Sequence, residues 1–291
     1  MIISEEKDRL VIKDLHDFNP IHTFMCGQCF RWDVSDGGFL GIAHGRAVLV
    51  KSTGEGEIEI YNATKKDFDD IWCDYFDFNT DYAVIKNKLS ADENLKKAIN
   101  FGGGIRILNQ DPFECLISFI ISTQNSIPRI KKIIAKMSEL FGEKIGLNGK
   151  DYYAFPTCEV LASLTEKDLA PLKVGYRAEY ILDAAKKVKN GEVDIYSLFD
   201  LDMLSAREEL LKIKGVGPKV ADCVLLFSLK KHAAFPIDVW IGRIMRSLYL
   251  DENASMKEIL KFSSEKFADY AGFAQQYLFY YARENGVEIL N

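Results

Sequence analysis

LKIKGVGPKVADCVLLFSLKKHAAFPID, residues 211–238, is the stretch whose reading decides the fold. Gly215 and Gly217 bracket Val216 between two apolar helical patterns. Glycine permits the positive φ of a very tight turn. Pro218 at the first helical position loses no hydrogen bond, since that N–H has no intrahelical partner anyway. The N–H groups of Gly215, Gly217 and Val220 then offer an anion site suited to a phosphate. Lys219 stands in the new helix's first turn, and Asp238 follows a Phe-Pro-Ile break. A lysine beside a phosphate site, with a carboxylate further on, points to chemistry on a nucleic acid backbone. The hairpin alone leaves a second reading open, in which the turn only grips phosphates.

Around this stretch nearly everything beyond residue 104 is helical. Apolar periodicity predicts helices over 127–140, 177–189, 203–212, 218–228, 239–249, 256–267 and 272–284, with shorter ones near 160–163, 166–170 and 196–199. Asp111 is an N-cap signal, with Pro112 at the first position and Glu114 at the third, ahead of the apolar run CLISFIIS. The first sixty or so residues read as β. Segments 30–34, 39–44, 47–51 and 57–62 are rich in branched and aromatic residues and are separated by turn signals at 35–38 and 52–54. Such spacing predicts an antiparallel meander. Helical periodicity starts near Thr64, with Phe68, Ile71, Trp72 and Phe76 on one face, and Gly102-Gly103-Gly104 forms a joint. The fold class expected is α+β: an antiparallel sheet domain with helices over 1–104, then an all-helical domain over 105–291.

The hairpin with its downstream Gly/Pro…Asp element resembles the helix-hairpin-helix superfamily of base-excision DNA glycosylases. Lys219 matches the lysine of members that also cleave the strand, and Asp238 matches their aspartate. The VADC run, Val220 to Cys223, narrows the resemblance to the 8-oxoguanine DNA glycosylases. Four further elements agree in order. QDPFECLISFIISTQNSIPRI (110–130) places Gln124 where relatives usually carry asparagine, followed by Asn125, and Arg129 where an arginine reads the orphaned cytosine. LKVGYRAEYI (172–181) implies Tyr176 as a wedge in the base stack and Arg177 as a second donor to that cytosine. CGQCFRW (26–32) implies that the Gly27 carbonyl senses the proton that 8-oxoguanine carries at N7 and guanine lacks. GFAQQYLFYYARE (272–284) puts Gln275 and Phe279 on one helical face, to read and stack on the base, with Cys223 against its other side. Phe227 replaces a methionine of the animal enzymes. Trp240 replaces a histidine that touches phosphate, which puts that contact in doubt.

The resemblance implies a bifunctional enzyme that flips 8-oxoguanine from duplex DNA. Lys219 attacks C1′ and forms a Schiff base, Asp238 stabilises developing positive charge, and β-elimination cuts the strand. It implies no cofactor and no catalytic metal. Two alternatives stay open: a glycosylase for another damaged base on the same scaffold, and a noncatalytic damaged-DNA-binding protein, against which Lys219 and Asp238 together speak.

Composition sets the remaining bounds. The 291 residues carry a net charge of −6, which argues against nonspecific nucleic acid binding by the whole surface but leaves room for a local basic face. Lys212, Lys214 and Lys219, then Arg129, Lys131 and Lys132, then Arg243 and Arg246 are its candidates. Cys26 and Cys29 form one CxxC with no second pair to complete a zinc site, and the C-terminal stretch lacks the four cysteines of an iron–sulfur loop. No run is apolar enough to span a bilayer, and MIISEEKDRL is too charged for a signal peptide. The expectation is a monomer with no membrane partner, inside the cell: cytoplasm or nucleoid in a prokaryote, nucleus in a eukaryote.

Overall fold

The computed structural model describes residues 1–147 and 149–286. Six antiparallel strands form the N-terminal sheet: β1 (Ile2–Glu5), β2 (Arg9–Lys13), β3 (Trp32–Ser35), β4 (Gly38–Ala43), β5 (Arg46–Gly54) and β6 (Glu57–Tyr61), in the order β1-β2-β6-β5-β4-β3. The meander β3–β6 follows the expected segments within a few residues. The strands β1 and β2 were not expected individually. Their apolar runs are only two and three residues long and are separated by the charged Glu5–Arg9. Tertiary pairing with β6 decides their conformation, with Leu10 opposite Ile60 and Ile12 opposite Ile58. A second hairpin, β7 (Lys144–Leu147) with β8 (Lys150–Tyr153), is also absent from the sequence reading.

One aromatic core fills the sheet's inner face. Phe24 stacks on Trp32 with ring centroids 3.9 Å apart, and Trp32 donates its indole N–H to the Tyr75 hydroxyl at 2.8 Å. Phe68, Trp72 and Phe76 close that core from the helical segment after Thr64.

The helices of six residues or more are α1 (Pro20–Met25), α2 (Tyr82–Leu89), α3 (Glu93–Gly102), α4 (Pro112–Ser122), α5 (Ile127–Phe141), α6 (Arg177–Lys189), α7 (Met203–Leu211), α8 (Pro218–Phe227), α9 (Val239–Leu248), α10 (Met256–Phe267) and α11 (Ala271–Asn285). Asp111 caps α4 as its sequence signal predicts, its side chain accepting from the Glu114 N–H. Packing cuts across the sequence order at the joint. Tyr82, Ile85, Leu95 and Ile99 of α2 and α3 belong to the helical core, as do Cys26 and Phe30 from the N-terminal segment.

Two buried polar side chains fasten the halves together. Gln28 donates to the Thr23 and Arg106 carbonyls at 2.9 and 2.7 Å and accepts from the Leu108 N–H at 2.8 Å. Arg106 donates to the Asp77 and His16 carbonyls at 2.6 and 3.0 Å. A buried network of this kind fixes one geometry, because each broken bond would strand a desolvated group. The stretch around Gly27 is thereby held against the start of the helical domain. None of the described helices is long and apolar enough to cross a membrane.

Candidate active site

Of the two hairpin glycines, Gly215 alone adopts a positive φ, +80°, and a Cβ there would fall 2.2 Å from the Tyr180 ring. Gly217 is extended, a conformation open to any residue, but a Cβ there would meet no atom within 4 Å. That open space lies directly before α8, whose first turn has no side-chain cap. With Pro218 lacking an N–H, the N–H groups of Lys219 and Val220 face it without partners among the described residues.

Lys219 is half-buried in that turn. Its ammonium donates to the Ser122 hydroxyl at 3.2 Å and sits 5.0 Å from the centre of the Phe119 ring. Phe119 in turn stacks on Phe227, 5.5 Å away with 19° between the rings. Cys223 lies one turn along α8 from Lys219 and is buried. Burial pushes its thiol up to about 11, against an opposing pull from Lys219, so it stays neutral near pH 7. The negative charge of Asp238 also reaches this thiol and raises it further. The Asp238 carboxylate is the N-cap of α9, accepting from the Ile241 N–H at 2.8 Å. The lysine, cysteine, aspartate and Phe227 expected from sequence therefore converge, and Phe119 and Ser122 join them. A polar residue closing the apolar CLISFIIS run was the available signal for Ser122.

A buried ion pair braces the hairpin. Arg207 of α7 donates to Asp222 of α8 through Nε at 2.7 Å and through Nη2 at 2.6 Å. Burial pushes the Asp222 carboxyl up to about 6, although Arg207 works in the opposite direction.

Gly27 forms a second wall. Its φ is +89°, and a Cβ there would meet Phe279 and Arg283, each at 3.1 Å. Phe279 is half-buried. Gln275 is buried, and its side-chain oxygen has no hydrogen-bond partner among the described residues. Gln110 links this wall to the lysine helix, donating to the carbonyls of Gln28 at 2.8 Å and of Phe227 at 3.5 Å through one side-chain nitrogen.

The residues assigned to the opposite strand form a separate group. Gln124 is exposed and has φ +48°, a strained backbone for a residue with a long side chain. Asn125 donates to the Ile121 carbonyl at 3.2 Å. Tyr176 is 53% exposed, as a wedge requires, and packs edge-on to Tyr180. Arg129 is exposed and donates to the Lys173 carbonyl at 3.2 Å. Arg177 is only 7% exposed. Its guanidinium is engaged with the carbonyls of Thr123, Val174 and Gln124 and lies 4.6 Å from the Tyr176 ring centre. In the DNA-free chain Arg177 thus holds the 123–124 loop rather than presenting free donors.

The basic candidates are largely paired. Lys212 bonds Glu209, Lys214 bonds Glu179 and Lys131 bonds Asp33, while Arg246 donates to the Ala254 carbonyl. Trp240, in the first turn of α9, is exposed.

Comparisons with known proteins agree on one superfamily. A family model described as "8-oxoguanine DNA glycosylase, N-terminal domain" matches residues 10–116, and one described as "HhH-GPD superfamily base excision DNA repair protein" matches residues 117–269. A probable N-glycosylase/DNA lyase of Methanothermobacter thermautotrophicus is 36% identical over 216 residues, 67% of this chain and 69% of that protein. The N-glycosylase/DNA lyase of Saccharomyces cerevisiae is 36% identical over 211 residues, 60% of this chain and 56% of that protein. The crystal structure of the Clostridium acetobutylicum 8-oxoguanine glycosylase/lyase, in complex with double-stranded DNA containing cytosine opposite 8-oxoguanine, is 47% identical and covers 98% of both chains with a TM-score of 0.95. The chain belongs to the helix-hairpin-helix superfamily of base excision DNA repair proteins, in the branch that carries the 8-oxoguanine DNA glycosylase N-terminal domain.

Proposed function

We propose that this protein is a bifunctional DNA glycosylase and lyase that removes 8-oxoguanine from duplex DNA. The observation that carries the reading is the placement of Lys219. It is a half-buried amine held by Ser122 over the Phe119 ring, at the mouth of an uncapped helix start, one turn from a buried thiol that feels the charge of Asp238.

Each step follows from a residue already described. A phosphate of the flipped nucleotide accepts from the backbone N–H groups at the Gly217 turn, where no side chain intrudes. The base enters between the Gly27–Phe279 wall and Cys223, whose neutral thiol adds no charge. Lys219, once deprotonated, attacks C1′ with its lone pair. The C1′–N9 bond breaks, and its electron pair leaves with the base, which takes up a proton. Asp238 stabilises positive charge on the sugar during this exchange. The nitrogen then gives up a proton, and its lone pair forms the C1′=N imine as the C1′–O4′ bond opens and the ring oxygen takes up a proton; loss of a C2′ proton then expels the 3′ phosphate. Tyr176 fills the vacated stack, Arg129 meets the orphaned cytosine, and Arg177 holds the 123–124 loop beside it. One chain serves one lesion, and the compartment is the one that holds the genome.

Borohydride reduction of the reacting complex tests the reading. The wild-type chain is expected to become covalently attached to DNA carrying 8-oxoguanine, and Lys219→Gln to bind that DNA without attachment. Equal trapping of Lys219→Gln would move the nucleophile elsewhere. Excision of a methylated purine in preference to 8-oxoguanine would favour a different lesion on the same scaffold.

A further inference from the structure

Every backbone carbonyl next to Gly27 is held by a side chain. The Met25 carbonyl accepts from Arg283 Nη2, the Cys26 carbonyl from Gln276 Nε2 at 2.9 Å, and the Gln28 carbonyl from Gln110 Nε2 at 2.8 Å. Among the described residues, nothing donates to the Gly27 carbonyl itself. Two of the three donors come from α11, the helix that also carries Gln275 and Phe279.

We propose that Gln276 and Arg283 are positioning residues that set the choice of base, by fixing the direction in which the Gly27 carbonyl faces the pocket. The proposal rests on the 8-oxoguanine reading above and adds these two residues to it. Glycine is the residue with the least intrinsic backbone restraint. A carbonyl that must meet one N–H on a base needs restraint from elsewhere. Anchored carbonyls on both sides supply it, since the bonds from Gln276 and Gln110 fix the peptides that flank the Gly27 carbonyl and so the axis on which its own peptide is set. Gln276 is 2% exposed, so its bond faces no competition from water. Arg283 lies 5.7 Å from the Phe279 ring centre and 5.6 Å from that of Tyr280, so the same guanidinium that holds Met25 also supports the stacking ring.

The expected consequence is selective. 8-Oxoguanine donates from N7, whereas guanine presents a bare acceptor there. A loosened carbonyl forfeits both the attraction to the first and the repulsion of the second, while Lys219 chemistry at C1′ is untouched. Two reactions on the same duplex separate these effects: single-turnover excision of 8-oxoguanine, and strand cleavage at a preformed abasic site, which needs the lysine but no base.

Gln276→Leu and Arg283→Met are each expected to slow excision about tenfold, the scale of one hydrogen bond. Cleavage at the abasic site should stay within about twofold of wild type. Arg283→Lys keeps a donor and should recover most of the loss. Equal losses in both reactions would show a general structural role and overturn the proposal, as would variants that excise 8-oxoguanine at the wild-type rate. If Gln276→Leu fails to fold, Arg283→Met and Arg283→Lys, at a more exposed position, decide the matter. A wild-type chain that cleaves abasic sites but ignores 8-oxoguanine would overturn the lesion reading first, and this assignment with it.

Discussion

The Lys219 ammonium meets the Ser122 hydroxyl at 3.2 Å, and that hydroxyl donates its own proton to the Phe119 carbonyl at 2.8 Å. The serine lone pairs therefore face the lysine, and the Phe119 ring lies beneath it. The last turn of α4 thus sets where the nucleophile waits before DNA arrives.

Ser122→Ala removes that acceptor without touching the ring. The loss of one charged hydrogen bond, partly exposed, is worth about 1–2 kcal/mol of positioning. Imine formation should slow by roughly five- to thirtyfold, with DNA affinity nearly unchanged. Quenched-flow borohydride trapping measures the step directly. An unchanged trapping rate would show that Ser122 is only a helix-end residue.

Asp238 has two separable duties. Its carboxylate caps α9 and supplies negative charge to the site. Asparagine caps helices as well as aspartate does, whereas alanine does not. Asp238→Asn should keep its unfolding free energy within about 0.5 kcal/mol of wild type and lose most of its excision rate. Asp238→Ala should lose the rate and about 1 kcal/mol of stability besides. Denaturant unfolding of the two variants beside single-turnover rates would separate cap from charge.

Arg207 and Asp222 make stability depend on pH. Asp222 titrates near 6 in the folded protein, above the usual carboxylate value of 3.8. Folding therefore favours its protonated form. The associated stability is complete below about pH 4 and is lost as pH rises through about 6. Arg207 limits that loss by pairing with the ionised form. Arg207→Met should cost about 3–5 kcal/mol at pH 8, where a buried charge is left unpaired, and far less at pH 4.5. Adding Asp222→Asn to Arg207→Met should recover much of the difference. A penalty equal at both pH values would show that Asp222 is not the group responsible.

Much of this was legible in the residues themselves. The hairpin, with Gly215, Pro218 and Lys219, declared itself because a positive φ, a missing N–H and a helix start leave strong local marks. The strands β3 to β6 were visible for the same reason, each being a branched or aromatic run between turn residues. β1 and β2 were not, because only pairing with β6 makes their short apolar runs into strands. The hidden parts of the site share that cause. Gln110, Gln276 and Arg283 act on backbone carbonyls far away in sequence, and no local pattern records such a bond. Arg177 stood out in the sequence, but its engagement with the Thr123 carbonyl is a tertiary fact.

That engagement bears on which base is tolerated opposite the lesion. Arg129 is exposed and, among the described residues, bonds only the Lys173 carbonyl, so it can turn to a cytosine at little cost. Arg177 must first release carbonyls of the 123–124 loop, or keep some and offer fewer donors. The two arginines should therefore fail differently. Arg129→Ala should reduce excision opposite cytosine by about tenfold or more, a bidentate contact being worth roughly 1–3 kcal/mol. It should leave the slower reactions opposite adenine, guanine and thymine nearly unchanged, narrowing the preference. Arg177→Ala frees the loop that carries Gln124 and Asn125, so it should slow excision opposite all four bases by similar factors and also lower stability. Duplexes carrying 8-oxoguanine opposite each base, under single-turnover conditions with both variants, measure the eight ratios. A uniform loss for Arg129→Ala would assign it to backbone binding, and a cytosine-specific loss for Arg177→Ala would show that the guanidinium leaves the loop when DNA is bound.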